Sequence, residues 1–164
     1  MVNKYLNSMK YLLFFFTLTI ASCNAKKESV QNVTNDTTVM KNQMKIEVLA
    51  EGSHGGYETS KYIIIKEEKT LREVFTKVNM IRRPGFPIPK IDFENEMVIA
   101  LFMGQKNNGG YGISVKNIVD TDDSIEIQIK EVEPEGMTTM VICQPFYFCK
   151  IPKSDKNVVF KKVE

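Results

Sequence analysis

Cysteine and histidine, which often serve as nucleophiles and metal ligands, are rare in this chain. It has three cysteines and one histidine among 164 residues. His54 lies in the glycine-rich stretch 51–56, which predicts an exposed loop rather than a ligand site. Cys143 and Cys149 would lie roughly 20 Å apart in an extended strand, too far for a disulfide. A reversal of the chain at Gln144-Pro145 would bring them together. The sequence therefore leaves two alternatives for this pair, free thiols or a disulfide.

Residues 104–112 form a glycine-rich stretch that could be taken for a phosphate-binding loop. Such loops need a following helix, whose first backbone amides hold the anion. Here the sequence continues with Ile113-Ser114-Val115-Lys116, which is typical of a strand. Asn108-Gly109 is a strong signal for a hairpin turn. We therefore expect a hairpin here and no bound phosphate.

Four oxygen-bearing side chains have the spacing of positions 1, 3, 5 and 12 of a calcium loop. They are Asp120, Asp122, Ser124 and Glu131. Position 6 of such a loop needs glycine for its sharp turn, but here it is Ile125. A hairpin turn at Asp122-Asp123 fits the alternating pattern better. The remaining carboxylates lie on charged strand faces with no marked pair, so we predict no metal, cofactor or catalytic residues.

The composition is that of a globular protein, with 43% hydrophobic and 26% charged residues. Basic and acidic residues number 22 and 20, and Lys4 and Lys10 are the only charges before residue 23. The rest of the chain is thus neutral, which argues against nucleic acid as a partner because phosphate binding needs a basic surplus. The chain has no tryptophan, which disfavours a sugar-stacking site.

The N-terminus has the pattern of a secretory signal. Lys4 and Lys10 precede an apolar run over residues 11–20, which is too short to cross a bilayer of about 30 Å. The sequence Ile20-Ala21-Ser22-Cys23 that follows resembles the lipobox of bacterial lipoproteins. This resemblance implies that residues 1–22 are a signal peptide and that Cys23 carries palmitate-type acyl chains. Several acyl chains on one residue are enough to hold a protein stably in a membrane.

Residues 23–43 are polar and lack periodicity, which predicts a flexible tether between the lipidated cysteine and a folded domain. Asn24 follows Cys23, where aspartate would resemble an inner-membrane retention signal. We therefore expect the bacterial cell envelope, and specifically the outer membrane, as the location. Asp36-Thr37-Thr38 resembles an O-glycosylation site of some bacterial groups, with an unmodified linker as the alternative.

Residues 44–164 have mostly the periodicity of strands, with one interruption. Leu71, Val74, Phe75 and Val78 mark one face of a helix, for which Thr70 and Glu73 provide a capping box. Strands are predicted around 44–48, 62–65, 97–103, 111–115, 125–129, 140–143 with 146–151 (one strand or two), and 158–163. We therefore expect a mainly β (α+β) domain: an antiparallel sandwich or partly open barrel of six to seven strands with one helix.

The order of these features resembles the C-terminal domain of the PrcB family, named after a lipoprotein subunit of a spirochaete surface protease complex. The resemblance covers roughly residues 50–160. Its most specific parts are Gly109-Gly110-Tyr111 after an apolar strand and the later Gln144-Pro145-Phe146. Gln144 and Phe146 depart from the family, which more often has threonine or serine and tyrosine there. The resemblance implies an accessory role in a protease complex and carries over no catalytic residue.

We therefore expect a membrane-anchored, non-catalytic protein-binding module, an accessory or stabilising subunit of an exported protease or of another envelope protein. The alternatives are a carboxylate-based hydrolase and a small-ligand or glycan-binding lipoprotein, whose pocket would use Tyr57, Phe86 or Tyr111. Glycine at a turn can fix the direction of Tyr111, and Pro145 cannot donate to a strand ladder. The predicted partner surface is Gly109, Gly110, Tyr111, Gln144, Pro145 and Phe146.

Overall fold

A computed structural model describes residues 44–164, which form seven strands and one helix. The predicted signal peptide, Cys23 and the tether lie outside the described residues. In chain order the elements are β1 Glu47–Gly52, β2 Lys61–Ile65, α1 Glu68–Val78, β3 Glu96–Phe102, β4 Gly112–Asp120, β5 Ser124–Val132, β6 Phe146–Pro152 and β7 Asn157–Val163. The prediction of a mainly β fold with six to seven strands and one helix is confirmed.

The strands form two sheets. The first has the order β1-β6-β3-β2 with antiparallel neighbours, and the second has the order β4-β5-β7. Strands β4 and β5 are antiparallel and joined at the predicted Asp122-Asp123 turn, whereas β7 pairs with β5 in parallel. One apolar core lies between the sheets, and α1 covers the outer face of the first sheet over a second core.

This arrangement buries the first sheet on both faces and explains why its central strands are apolar throughout. Strand β3 lies between β6 and β2, as its continuous apolar run predicts. Its residues alternate between the cores: Met97, Ile99 and Leu101 face the second sheet, and Val98 and Ala100 face the helix. Strand β6 alternates in the same way. Isoleucines of β5 fill the core between the sheets.

Helix α1 buries the predicted face, since Leu71, Val74, Phe75 and Val78 all lie in the helix-side core. The predicted capping box is wrong. The helix begins at Glu68, two residues before Thr70, and the N-cap residue Glu67 makes no capping hydrogen bond with its side chain. The hydroxyl of Thr70 instead donates to the Glu67 carboxylate at 2.7 Å.

Two predicted local structures are wrong. Asn108-Gly109 does not close a hairpin, because β3 and β4 belong to different sheets and the segment between them crosses from one to the other. Residues 140–142 form no strand: Met140, Val141 and Ile142 are exposed, and the chain joins the first sheet only at Phe146. Apolar side chains alone do not fix a strand when the backbone has no partner strand to pair with.

The two open sides of the sandwich differ. On one side Tyr62 of β2 contacts the ring of Phe160 of β7 at 5.3 Å between centroids, and its hydroxyl donates to Glu131 at 3.1 Å. These contacts close that side. On the other side lie β1 and β4, each the edge strand of its sheet and each paired, within residues 44–164, with only one neighbour.

Candidate functional site

Three loops meet at the end of the sandwich where β1 ends and β4 and β6 begin. Gln144 connects the loop after β1 to the segment before β6 through its backbone and its side chain. Its backbone amide donates to the Ser53 carbonyl at 2.7 Å, and its carbonyl accepts from the Gly55 amide at 2.8 Å. Its side-chain oxygen accepts from the Gly56 amide at 3.0 Å. Gln144 is therefore a structural link whose side chain is already used within the domain.

The loop between β3 and β4 is fixed to the same segment. Lys106 and Cys143 exchange two backbone hydrogen bonds of 2.8 and 3.0 Å, and the Gly109 amide donates to the Thr139 carbonyl at 3.0 Å. Because these bonds join residues distant in sequence, the three loops form one surface, which we call the loop end. It comprises residues 53–60, 103–111 and 133–145.

A shallow groove of about 340 Å³ lies at this end, between the edge strands β1 and β4. It is lined by Glu51, Gly52 and Ser53 on the β1 side, by Tyr111, Gly112 and Ile113 on the β4 side, and by Pro145 and Phe146 at the start of β6. We call it the edge groove. The sequence predicted a surface containing Tyr111 and Pro145, and the structure places both residues in this groove.

Gly110 sets the direction of Tyr111. Its φ is +92°, and an added Cβ would lie 2.7 Å from the Cβ of Pro134, so glycine is required there. Gly109 does not have a positive φ and is restricted instead by Thr139, whose Oγ1 would lie 2.7 Å from its Cβ. Tyr111 itself is half-buried, and the Lys106 ammonium lies 5.0 Å from its ring centroid. Its ring is thus held by the domain and partly accessible.

Phe146 does not match its predicted place at the surface, and Pro145 lines the edge groove only as a buried residue. Pro145 is buried, and Phe146 is only 1% exposed. The Phe146 ring packs against those of Phe86 and Phe148, at 5.8 and 5.2 Å between centroids. Phe146 is therefore a core residue that supports the groove and cannot act as an exposed aromatic anchor. The prediction that Phe146 belongs to an exposed partner surface is therefore corrected: its ring is buried beneath that surface.

An exposed apolar segment at the loop end, residues 137–142, was missed because residues 140–143 were interpreted as a strand and Met137 was assigned no role. Met137 and Met140 are fully exposed, and Val141 and Ile142 are about half exposed. Exposed clusters of large apolar side chains mark interaction sites more often than isolated ones do. Glu133-Pro134-Glu135-Gly136, which directly precedes the segment, was the signal that a loop begins there.

Cys143 and Cys149 are free thiols. Of the two alternatives that their spacing in the sequence allows, the structure therefore has the free thiols and not the disulfide. Burial raises the pKa of the Cys149 thiol to about 12, between the two sheets. Burial also raises the pKa of Cys143, although the nearby Lys106 opposes the shift. The Cys143 thiol donates to the Asn108 carbonyl at 3.1 Å. Since the thiolate is the reactive form, neither group is arranged as a nucleophile.

The acidic residues Glu47 and Glu96 line a cleft of about 300 Å³ at the opposite end of the first sheet. The Lys150 ammonium lies between them, 2.8 Å from Glu96 and 3.5 Å from Glu47. Its hydrogen bond lowers the pKa of Glu96, which keeps that carboxyl ionised. A general acid needs a raised pKa, so this pair has the character of an ion-pair network and not of a hydrolase site.

His54 is exposed in the loop after β1, as predicted. Within residues 44–164 no group of three or more histidine, cysteine, aspartate or glutamate side chains is placed to hold a metal ion. Over that same part of the chain, no helix is long and apolar enough to cross a membrane. Of the aromatics considered for a sugar pocket, Tyr57 packs on Phe102 and Phe86 on Phe146, which leaves Tyr111 in a groove.

Comparison with known proteins identifies one family. The family model described as PrcB C-terminal matches residues 97–152, about a third of the chain. The matched segment includes β3, β4, β5 and β6 and two of the three loops of the loop end. No curated protein and no solved structure matches the chain. The resemblance to the PrcB family found in the sequence is therefore confirmed over residues 97–152, where the chain matches the PrcB C-terminal model.

Proposed function

We propose that this chain is a lipid-anchored protein of the bacterial cell envelope whose domain is a non-catalytic accessory subunit of an exported protease complex. The observation that carries the proposal is the PrcB C-terminal match over residues 97–152, because that family is associated with a protease complex. The match contains Tyr111 and the exposed segment 137–142, so the part of the chain that supports a partner also contains the candidate surface.

The geometry of the edge groove supports binding of an extended protein segment. Edge strands offer unpaired backbone amides and carbonyls, and an added strand gains main-chain hydrogen bonds while side chains fill adjacent pockets. The groove lies between two such edges, those of β1 and β4. Tyr111 supplies a ring already held against Lys106 and the core between the sheets, which lowers the entropy lost on binding. The exposed Met137 and Met140 lie in the same loop end and enlarge the apolar contact.

A non-catalytic role fits the chemistry of the described residues. The Cys149 thiol is buried with a raised pKa, and Glu96 is ion-paired with Lys150. Neither arrangement provides the activated nucleophile or the pair of carboxylates with separated pKa values that hydrolysis uses. The catalytic centre of the complex then belongs to the partner.

Cys23 provides the anchor in this proposal, with the outer membrane as its location. Cys23→Ala is expected to abolish incorporation of labelled palmitate and to move the protein from the membrane fraction to the soluble fraction, because the acyl chains are its attachment. Fractionation with metabolic labelling measures both effects. Ser22→Ala is the matched control, since alanine keeps a small residue before the cysteine. Labelling of Cys23→Ala equal to that of the unmodified chain would contradict the lipoprotein assignment.

Co-isolation tests the partner. The chain, solubilised from membranes and captured by a C-terminal tag, is expected to bring down a proteolytic activity, measured on casein with class-specific inhibitors. Tyr111→Ala should reduce the captured activity about tenfold or more, in the range of loss of an aromatic anchor at an interface. Val132→Ala is the control, because Val132 is exposed and pairs with Gly112 across β4 and β5 without lining the groove.

The outcome depends on the fold of the variant being intact, since Tyr111 also packs against the core between the sheets. Capture is therefore carried out well below the measured melting temperature of Tyr111→Ala. If Tyr111→Ala, Val132→Ala and the unmodified chain capture equal protease activity, the edge groove is not the surface that contacts the protease. Release of the protease by added glycans, and not by competing peptides, would favour the glycan-binding alternative.

A further inference from the structure

Arg82 carries a guanidinium group that the domain does not pair. Its Nε atom is buried without a hydrogen-bond partner, the one such side-chain atom within residues 44–164. Nor does Arg82 form an ion pair with any acidic side chain in the described part of the chain. Buried polar groups are almost always hydrogen-bonded, and an arginine fork is most stable against a carboxylate or phosphate. The Arg82 guanidinium therefore has hydrogen-bonding capacity that the described part of the domain leaves unused.

The surroundings hold this guanidinium in a fixed position. It lies over the ring of Phe86, 4.3 Å from the centroid, and Phe86 in turn contacts Phe146 edge to face. Asn79, at the end of α1, fixes Phe86 with two hydrogen bonds of 2.8 and 2.9 Å. The Arg82 amide donates to the Asn79 carbonyl at 3.1 Å. A positioned fork loses little conformational entropy when it binds a ligand, which favours recognition over a purely structural role.

A pocket of about 220 Å³ opens beside the guanidinium, lined by His54, Ile81 and Arg82. The exposed imidazole of His54 offers a second hydrogen-bond donor to the same space. Ile81 is 71% exposed and Met80 is 66% exposed, so the rim is apolar. We call this space the Arg82 pocket. It combines a fixed cation and a second donor with an apolar rim.

We propose that the Arg82 pocket binds a carboxylate of a protein partner, supplied by an acidic side chain or by a C-terminus. The inference rests on the proposed function, because it names the chemistry of the segment that the edge groove receives. The guanidinium fork and one imidazole suffice for the two oxygens of a carboxylate, whereas a phosphate needs additional donors, such as backbone amides. The apolar rim suits the side chain next to a carboxylate in a peptide.

The pocket lies next to the edge groove. Gly52 lines the groove, and an added Cβ at Gly52 would lie 3.5 Å from Nη2 of Arg82. The chain continues from Gly52 through Ser53 to His54, which lines the pocket. A segment paired along the β1 edge would therefore bring a carboxylate within reach of Arg82. This assigns the pocket as an electrostatic contact at one end of an extended peptide.

Arginine-selective NMR tests the proposal, because the chain has only three arginines, Arg72, Arg82 and Arg83. The full chain, labelled with ¹⁵N-arginine and purified in detergent, gives one Nε–H signal for each. The probes are an N-acetylated, C-amidated Val-Ser-Val-Glu-Val-Ser peptide, its Glu→Gln counterpart, and the Gln peptide with a free C-terminal carboxylate. Only the Arg82 signal should move, and a carboxylate-bearing peptide should bind at least about tenfold more tightly than the amidated Gln peptide.

The variants are Arg82→Lys, which keeps the charge but loses the fork, and Arg83→Lys as the matched control. Arg83 is exposed and does not line the pocket. Binding of the carboxylate peptide should fall about tenfold in Arg82→Lys and change less than twofold in Arg83→Lys. The amidated Glu peptide carries only a side-chain carboxylate, and the Gln peptide with a free terminus carries only a C-terminal one. Comparing them identifies which carboxylate the pocket binds, and binding of either supports the proposal.

Three results would overturn it: an Arg82 signal unmoved by every peptide, equal loss of affinity in Arg82→Lys and Arg83→Lys, or inorganic phosphate displacing the peptide far better than acetate at equal ionic strength. The two proposals fail separately. Protease capture that depends on Tyr111 while the Arg82 signal stays unmoved rejects the carboxylate pocket alone. A carboxylate bound at Arg82 without any captured protease rejects the proposed function and leaves the pocket in place.

Discussion

Phe148→Ala should lower the free energy of unfolding by about 3–5 kcal/mol, the range for removal of a fully buried aromatic side chain. Phe148 is 0% exposed in the core between α1 and the first sheet. Its ring contacts those of Phe75, Phe102 and Phe146 at 5.1 to 5.5 Å between centroids. Alanine leaves a cavity at the centre of this cluster, which the surrounding sheet cannot fill by collapsing.

Chemical denaturation of the purified chain, followed by circular dichroism, measures this change. Phe148→Leu should lower the free energy of unfolding clearly less than Phe148→Ala does, because leucine keeps most of the apolar volume. Val159→Ala in β7 is the surface control and should change stability by less than about 1 kcal/mol, since Val159 is 42% exposed. A midpoint for Phe148→Ala close to that of Val159→Ala would mean that the aromatic cluster does not hold the helix on the sheet.

Gly104→Ala should lower the free energy of unfolding by about 2–4 kcal/mol. Gly104 lies two residues after the end of β3 and has a φ of +82°, a conformation that alanine rarely adopts. An added Cβ would lie 2.8 Å from the Ser60 nitrogen and 3.0 Å from the Glu58 oxygen. Both contacts are with backbone, so a change of rotamer cannot relieve them. The Gln105 amide also donates to Glu58 at this point, and that hydrogen bond would be strained.

The variant Gly136→Ala separates the two causes of destabilisation at Gly104, which are the backbone strain of a positive φ and the steric contact of the added Cβ. Gly136 has a similar φ of +76°, but an added Cβ there meets nothing within 4 Å. It should therefore show only the backbone strain, about 1 kcal/mol. The difference between the two variants, measured by denaturation under identical conditions, is the cost of the steric contact. Equal losses would mean that the loop at Gly104 moves freely enough to accept a side chain.

The elements that sequence predicted correctly are those in which the pattern of burial is local. The apolar run of β3, the alternating isoleucines of β5 and the four apolar positions of α1 each show which faces are covered. Period and residue type are enough there, because each side chain faces either a core or solvent.

Features that depend on topology could not be predicted in that way. Asn108-Gly109 is a hairpin signal only if the flanking strands pair, and these two strands belong to different sheets. Residues 140–142 have the composition of a strand but no partner strand within the described residues. The edge groove combines residues of β1, β4 and β6, and the Arg82 pocket joins a loop after β1 to the end of α1. Those neighbours are far apart in sequence.

The position of β1 has a mechanical consequence. β1 runs antiparallel to β6 as an edge strand, from Glu47 to Gly52 at the groove. A pull on the N-terminal side of the domain would first meet Met44 and Ile46, which pack on the core between the sheets, while a partner bound in the groove would hold the domain near Gly52. The load then acts along β1, perpendicular to the hydrogen bonds that join it to β6. Those bonds share the load in shear instead of opening one by one, so the domain resists a pull along β1 without losing this strand from its edge.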